Sequence, residues 1–79
     1  MTHELKTWNE YFEDVFIGKK TFEIRKDDRG FKKEDTLVLK EWDPKKEQYT
    51  GREISRKITY ILEGGKFGLK KGFVAMAIQ

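Results

Sequence analysis

Seventy-nine residues, 37% hydrophobic and 39% charged, make at most one small domain, and a domain of that size buries only about 60% of its unfolded surface. With no cysteine and one histidine, disulfides, thiolate zinc sites and a cysteine nucleophile are excluded, and no metal or other cofactor is expected. Net charge is +3; no apolar run reaches the length of a membrane span and no secretion leader is visible, so a cytoplasmic protein that does not enter membranes is expected.

The charge is unevenly spread. Residues 1–18 are acidic, whereas residues 19–33 carry seven bases (Lys19, Lys20, Arg25, Lys26, Arg29, Lys32 and Lys33) against three acids. Residues 64–79 carry Lys66, Lys70 and Lys71 and no acid. Two basic segments in a short chain suit a polyanionic partner, although a solvated lysine-rich surface gives the same composition.

In chain order, His3–Lys6 reads as a short extended lead-in. Thr7 is placed as a helix N-cap, with Glu10 completing a capping box. Trp8, Tyr11, Phe12, Val15 and Phe16 then recur on one helical face, and Gly18 stands where a left-handed cap ends the helix. Everything after Gly18 reads as β. Thr21–Arg25 alternates, with Phe22 and Ile24 on the expected core side and Glu23 and Arg25 opposite. A charged loop, Lys26–Asp35, precedes a strand at Thr36–Trp42. Pro44 ends that strand, and a return strand through Glu53–Leu62, with Ile54, Ile58, Tyr60 and Leu62 in phase, completes an antiparallel hairpin. A glycine-rich turn follows, and the apolar run Phe73–Ile78 is expected at the sheet centre, covered on both faces.

One or two short helices among about five strands cannot build a parallel α/β sheet. The expected fold is therefore mainly β, a small antiparallel barrel with the first helix beside a cleft, in a single domain over residues 1–79. Its expected core is Phe12, Phe16, Phe22, Ile24, Leu37, Leu39, Ile58, Val74 and Met76.

The chemistry concentrates at residues 18–25, Gly-Lys-Lys-Thr-Phe-Glu-Ile-Arg. Glu23 and Arg25, two apart, project from the same side of one strand. They either pair with each other or floor a polar cleft, in which Arg25 holds a phosphate or base edge and Glu23 accepts from an amino or hydroxyl group. Lys20 adds a mobile charge at the strand's mouth. His3 is a candidate base or a hydrogen-bonded structural residue. Trp42 and Tyr49 either stack on a base or cover one end of the barrel. Arg52 and Arg56 either extend a basic stripe or pair with Glu41 and Glu53. Gly64, Gly65 and Gly68 lack the Lys-Ser/Thr ending of a phosphate loop and read as hinges.

Gly18, Lys20, Glu23 and Arg25 fit the pattern G-x-K-x-x-E-x-R, and here the chain resembles the ASCH domain of the PUA-like superfamily. His3–Leu5 before the helix, Asp35–Leu39 with Glu34 in place of the usual Gly, and the apolar last strand extend the likeness to small stand-alone ASCH-like proteins of bacteria and phages. The resemblance implies a barrel whose cleft binds RNA or a modified nucleotide through Lys20, Glu23 and Arg25, rimmed by Lys19, Lys26, Arg29, Lys32 and Lys33. Some ASCH proteins are hydrolases that release the acyl group of N4-acetylated cytidine with a Lys, a Thr three residues later and a distant Glu. Here Lys20 matches the Lys, but Glu23 occupies the Thr position, Thr21 is out of register, and Glu53 and Glu63 are the candidates for the Glu. Other relatives are ribonucleases, for which no His pair is present. Three functions are thus carried forward. They are a nucleotide- or RNA-binding module, a small nucleoside or RNA hydrolase, and a protein-interaction module whose motif is a structural ion-pair network.

Overall fold

A computed structural model describes residues 1–79. Its elements are β1 (Thr2–Trp8), α1 (Asn9–Phe16), β2 (Phe22–Lys26), β3 (Thr36–Asp43), β4 (Gln48–Glu63) and β5 (Phe73–Ile78). The five strands form one sheet in the order β1-β3-β4-β5-β2. Only the β1–β3 pair is parallel; β3–β4, β4–β5 and β5–β2 are antiparallel. β1 and β2 share no backbone ladder, so the sheet is open and the expected closed barrel is corrected to that extent. No helix is long and apolar enough to cross a membrane.

The lead-in is longer than its sequence suggests. His3, Leu5 and Thr7 alternate inward along β1, and Thr7, buried opposite Glu41 of β3, is a strand residue rather than a helix cap. Its β-branched side chain suits the pleated surface. Trp8 takes the cap position without a side-chain hydrogen bond. The helix ends as expected: Gly18 adopts φ +86°, and the amides of Lys19 and Lys20 both reach the Asp14 carbonyl at 2.9 Å. With only eight residues packed against β1 and β3, α1 buries a narrow stripe, Phe12 and Val15. Phe16 lies outside it, 50% exposed.

β2 presents the opposite face to the one its pattern suggests. Glu23 is buried, while Phe22 and Ile24 are half exposed. Alternation fixes a period of two and leaves open which side faces inward. A second phase change lies in β4, where a bulge between Ile58 and Tyr60 turns Ile61 toward the core and Tyr60 to solvent. β5 is internal, as expected, but only Val74, Met76 and Ile78 are buried and Ala77 is exposed, so one face is covered rather than two. The core is completed by Leu5 and by Phe31, which the 27–35 loop inserts with its own amide held by the Asp27 carboxylate at 3.2 Å.

Every buried side-chain polar atom has a hydrogen-bond partner. At the Asp35 node, His3 Nε2 lies 2.9 Å from Oδ2, the Lys32 amide donates to the same oxygen at 3.1 Å, and the N-terminal ammonium reaches Oδ1. His3 packs edge-on to Phe31 at 4.8 Å, so its role here is the structural one. Chiefly through the His3 hydrogen bond, the Asp35 carboxyl is pulled down to about 2. A depressed carboxyl stabilises the fold at pH values above its unfolded pKa of 3.8 and loses that contribution as pH falls toward the folded value. The melting-temperature gap between the parent chain and Asp35→Asn should therefore be constant above about pH 5 and close between about pH 4 and 2. A gap independent of pH across that window would contradict the assignment.

Candidate ligand-binding cleft

The helix end and β2 bring the motif together because Gly18 reverses the chain and returns Lys20 over the strand it precedes. Lys20 Nζ donates to Glu23 Oε1 at 2.8 Å and to the Phe22 carbonyl at 2.8 Å. Arg25 Nε donates to the other oxygen, Oε2, at 3.1 Å. The salt-bridge alternative for Glu23 and Arg25 is thus realised, with Glu23 buried between two cations.

Arg25 also reaches across the open side of the sheet. Its Nη2 donates to the Lys6 carbonyl of β1 at 2.7 Å and lies 3.4 Å from Thr7 Oγ1. Arg29 donates to the Glu4 carbonyl, two residues back on the same edge. Guanidinium groups from the β2 side therefore satisfy carbonyls on the facing edge of β1, where a closed barrel would have a backbone ladder. Arg25 Nη1 has no protein partner.

Between these edges lies a cavity of about 450 Å³. Lys20, Glu23 and Arg25 all line it, together with Phe22 and Ile24 of β2 and Lys6, Thr7, Trp8 and Tyr11 from β1 and α1. Trp8, Tyr11 and Phe22 are each about half exposed (51%, 48% and 49%). A second cavity of about 360 Å³, bounded by Asn9, Glu10, Asp43, Pro44 and Lys45, shares Trp8 as its wall.

The basic rim is placed differently from expectation. None of Lys19, Lys26, Arg29, Lys32 and Lys33 lines the cavity. Arg29 is committed to β1, and Lys33 lies 4.8 Å over the Tyr60 ring. The Lys32 amide belongs to the Asp35 node, at the end of β1 remote from Trp8. Lys6, Trp8 and Tyr11 are cleft residues that the sequence does not mark as such, because Trp8 and Tyr11 carry the spacing of a buried helical face.

The other candidates lie outside the cleft. Trp42 packs edge-on to Tyr49 at 5.0 Å with Lys6 Nζ 4.0 Å over its ring. Arg52 grips Glu41 with two bonds of 3.0 and 3.1 Å and reaches Glu13 at 2.8 Å. Its guanidinium also sits about 5 Å over Phe12 and Phe16, riveting the helix to the β3–β4 hairpin. The Arg52 bond is the main cause that holds the Glu41 carboxyl below its ordinary value, and Glu41 in turn raises Arg52. Arg56 reaches the Val15 carbonyl at 3.4 Å. Thr21, Glu53 and Glu63 are all exposed and none lines the cavity; the hydroxyl-bearing residues that do are Thr7 and Tyr11.

Residues 2–78 match the family model described as "Domain of unknown function (DUF3850)". The chain belongs to the DUF3850 family. This DUF3850 domain is also similar to a protein of Escherichia phage P2, described as an uncharacterized 12.9 kDa protein in the GpA 3′ region, at 41% identity over 61 residues. The matched segment is 77% of this chain and 54% of the phage protein, so the DUF3850 domain spans about half of that relative.

Proposed function

We propose that the cleft binds RNA or a modified nucleotide, and that the open sheet is an ASCH-like member of the PUA-like group. The carrying observation is the convergence of three half-exposed aromatic rings with Lys6, Lys20 and Arg25 on one cavity. Aromatic faces accept bases of any sequence, and the ammonium and guanidinium groups attract phosphate. Arg25 Nη1 is free to meet a ligand while the rest of the guanidinium keeps its hold on Glu23 and β1. A binding role is favoured over a hydrolytic one because Glu23, where the acyl-releasing ASCH enzymes carry Thr, is locked between two cations.

Trp8→Ala is a direct test, since the ring is half exposed and its loss should cost only about 1 kcal/mol and leave the chain folded. Affinity for single-stranded RNA should fall about 5- to 150-fold, the equivalent of one lost base stack. Unchanged affinity would remove the cleft as the binding site. A second reading, a structural network serving a protein-interaction module, rests on the full engagement of Glu23. It predicts that Arg25→Ala lowers the melting temperature and leaves RNA affinity untouched. Binding through the cleft predicts that both fall and that Arg25→Lys restores little, because an ammonium lacks the planar fork.

A further inference from the structure

The connection between β4 and β5 carries a feature that folding alone does not require. Lys66 and Leu69 bridge across a two-residue turn, closed by the Leu69 amide on the Lys66 carbonyl at 3.0 Å. Its central residues, Phe67 and Gly68, have φ of +54° and +80°. Such a turn favours Asn-Gly, whose first residue tolerates the left-handed region. A phenylalanine there is strained by its own Cβ. No packing offsets the strain, because Phe67 is 86% exposed. Lys66, Lys70 and Lys71 lie within four residues of it in sequence, in a segment from Gly64 onward that holds no acid.

An exposed, strained aromatic ring among cations suits a partner that offers flat apolar faces next to negative charge. Single-stranded nucleic acid has both, in its bases and phosphates. The base of the turn is also joined to the cleft strand. The Asp27 amide donates to the Gly72 carbonyl at 2.9 Å, and Phe73 stands opposite Lys26, the neighbour of Arg25. The stretch of β2 from Lys26 back to Phe22, about 13 Å, is only part of the path from the turn to the cleft, so an oligonucleotide rather than a single nucleotide is needed to span it.

We propose that Phe67 is a second stacking point for single-stranded RNA, with Lys66, Lys70 and Lys71 attracting its phosphates, so that a strand held in the cleft continues onto this turn. The proposal rests on the cleft reading and extends it from a nucleotide to an oligonucleotide.

Phe67→Asn in the full chain, assayed with random-sequence single-stranded RNA of about ten nucleotides, tests it. The melting temperature should rise by about 4–8 °C as the backbone strain is relieved, while RNA affinity falls about 5- to 150-fold. Phe67→Tyr, which keeps a stacking face, should retain the affinity. Unchanged affinity in Phe67→Asn, with Trp8→Ala still weakened, overturns the turn contact and leaves the cleft reading standing. Weakening by Phe67→Asn with no effect of Trp8→Ala supports the turn contact as an RNA site and overturns the cleft. If the parent chain binds no RNA, both are overturned. Binding to phosphatidylserine vesicles that Phe67→Asn abolishes, with RNA affinity intact, overturns the proposal by assigning the turn to a lipid surface.

Discussion

Phe12→Ala should destabilise the protein by about 3–5 kcal/mol, a large share of the roughly 4–12 kcal/mol available to a chain of this size. Phe12 is fully buried, the largest such side chain, and anchors α1 in the ten-residue core. Its removal leaves a void that a short helix fixed at both ends cannot collapse to fill. The same change would unseat the Arg52 guanidinium, which lies over the Phe12 ring between Glu13 and Glu41. Phe16→Ala, one turn later and half exposed, should cost only about 1 kcal/mol. Urea titrations of the two variants separate these values. Equal losses would mean that the helix is rotated from the orientation described.

Gly64→Ala should cost about 3 kcal/mol for the addition of a single methyl group. A Cβ at Gly64 would stand 2.0 Å from the Lys70 carbonyl oxygen and 2.7 Å from that of Phe73. Both are backbone atoms, and the Gly64 amide itself donates to the Phe73 carbonyl at 2.8 Å. Relief therefore requires the whole β4–β5 connection to shift. Gly68→Ala meets no neighbouring atom and should cost only the strain of φ +80° in a residue with a side chain. A thermal melt of each variant decides the order, and a Gly64→Ala protein as stable as the parent would contradict the close approach.

Much of this architecture is legible in the residues because periodicity and punctuation are local. The helix, its stop at Gly18, the β3–β4 hairpin and the final strand all follow from spacing and from Gly and Pro. What escapes is which face of a strand turns inward and where its phase slips. Glu23 is buried because Lys20 and Arg25 satisfy it, and no hydropathy pattern reveals that pairing. The bulge near Thr59 flips the phase of β4 without a glycine to mark it, and Phe31 hides among charges in a loop. The same division holds at the cleft. Lys20, Glu23 and Arg25 stand in one contiguous motif and are found from it. Lys6, Trp8 and Tyr11 come from β1 and α1, and only the open side of the sheet shows that they share its space.

The strand order also constrains how the chain assembles as it is made. β3, β4 and β5 are successive neighbours, so they can zip together in the order in which they leave the ribosome. β1 must wait for β3 and run alongside it, which no tight turn permits. β2 waits longest, since Phe22 finds its place only opposite Ala77 of β5, the strand that follows all the others in the sheet. Until then Phe22 and Ile24 have no sheet edge to join, and Glu23 has no enclosed site in which to meet its two cations. The cleft is therefore completed only once β5 is in place, and a nascent chain lacking β5 would carry the whole motif without the cavity that it lines.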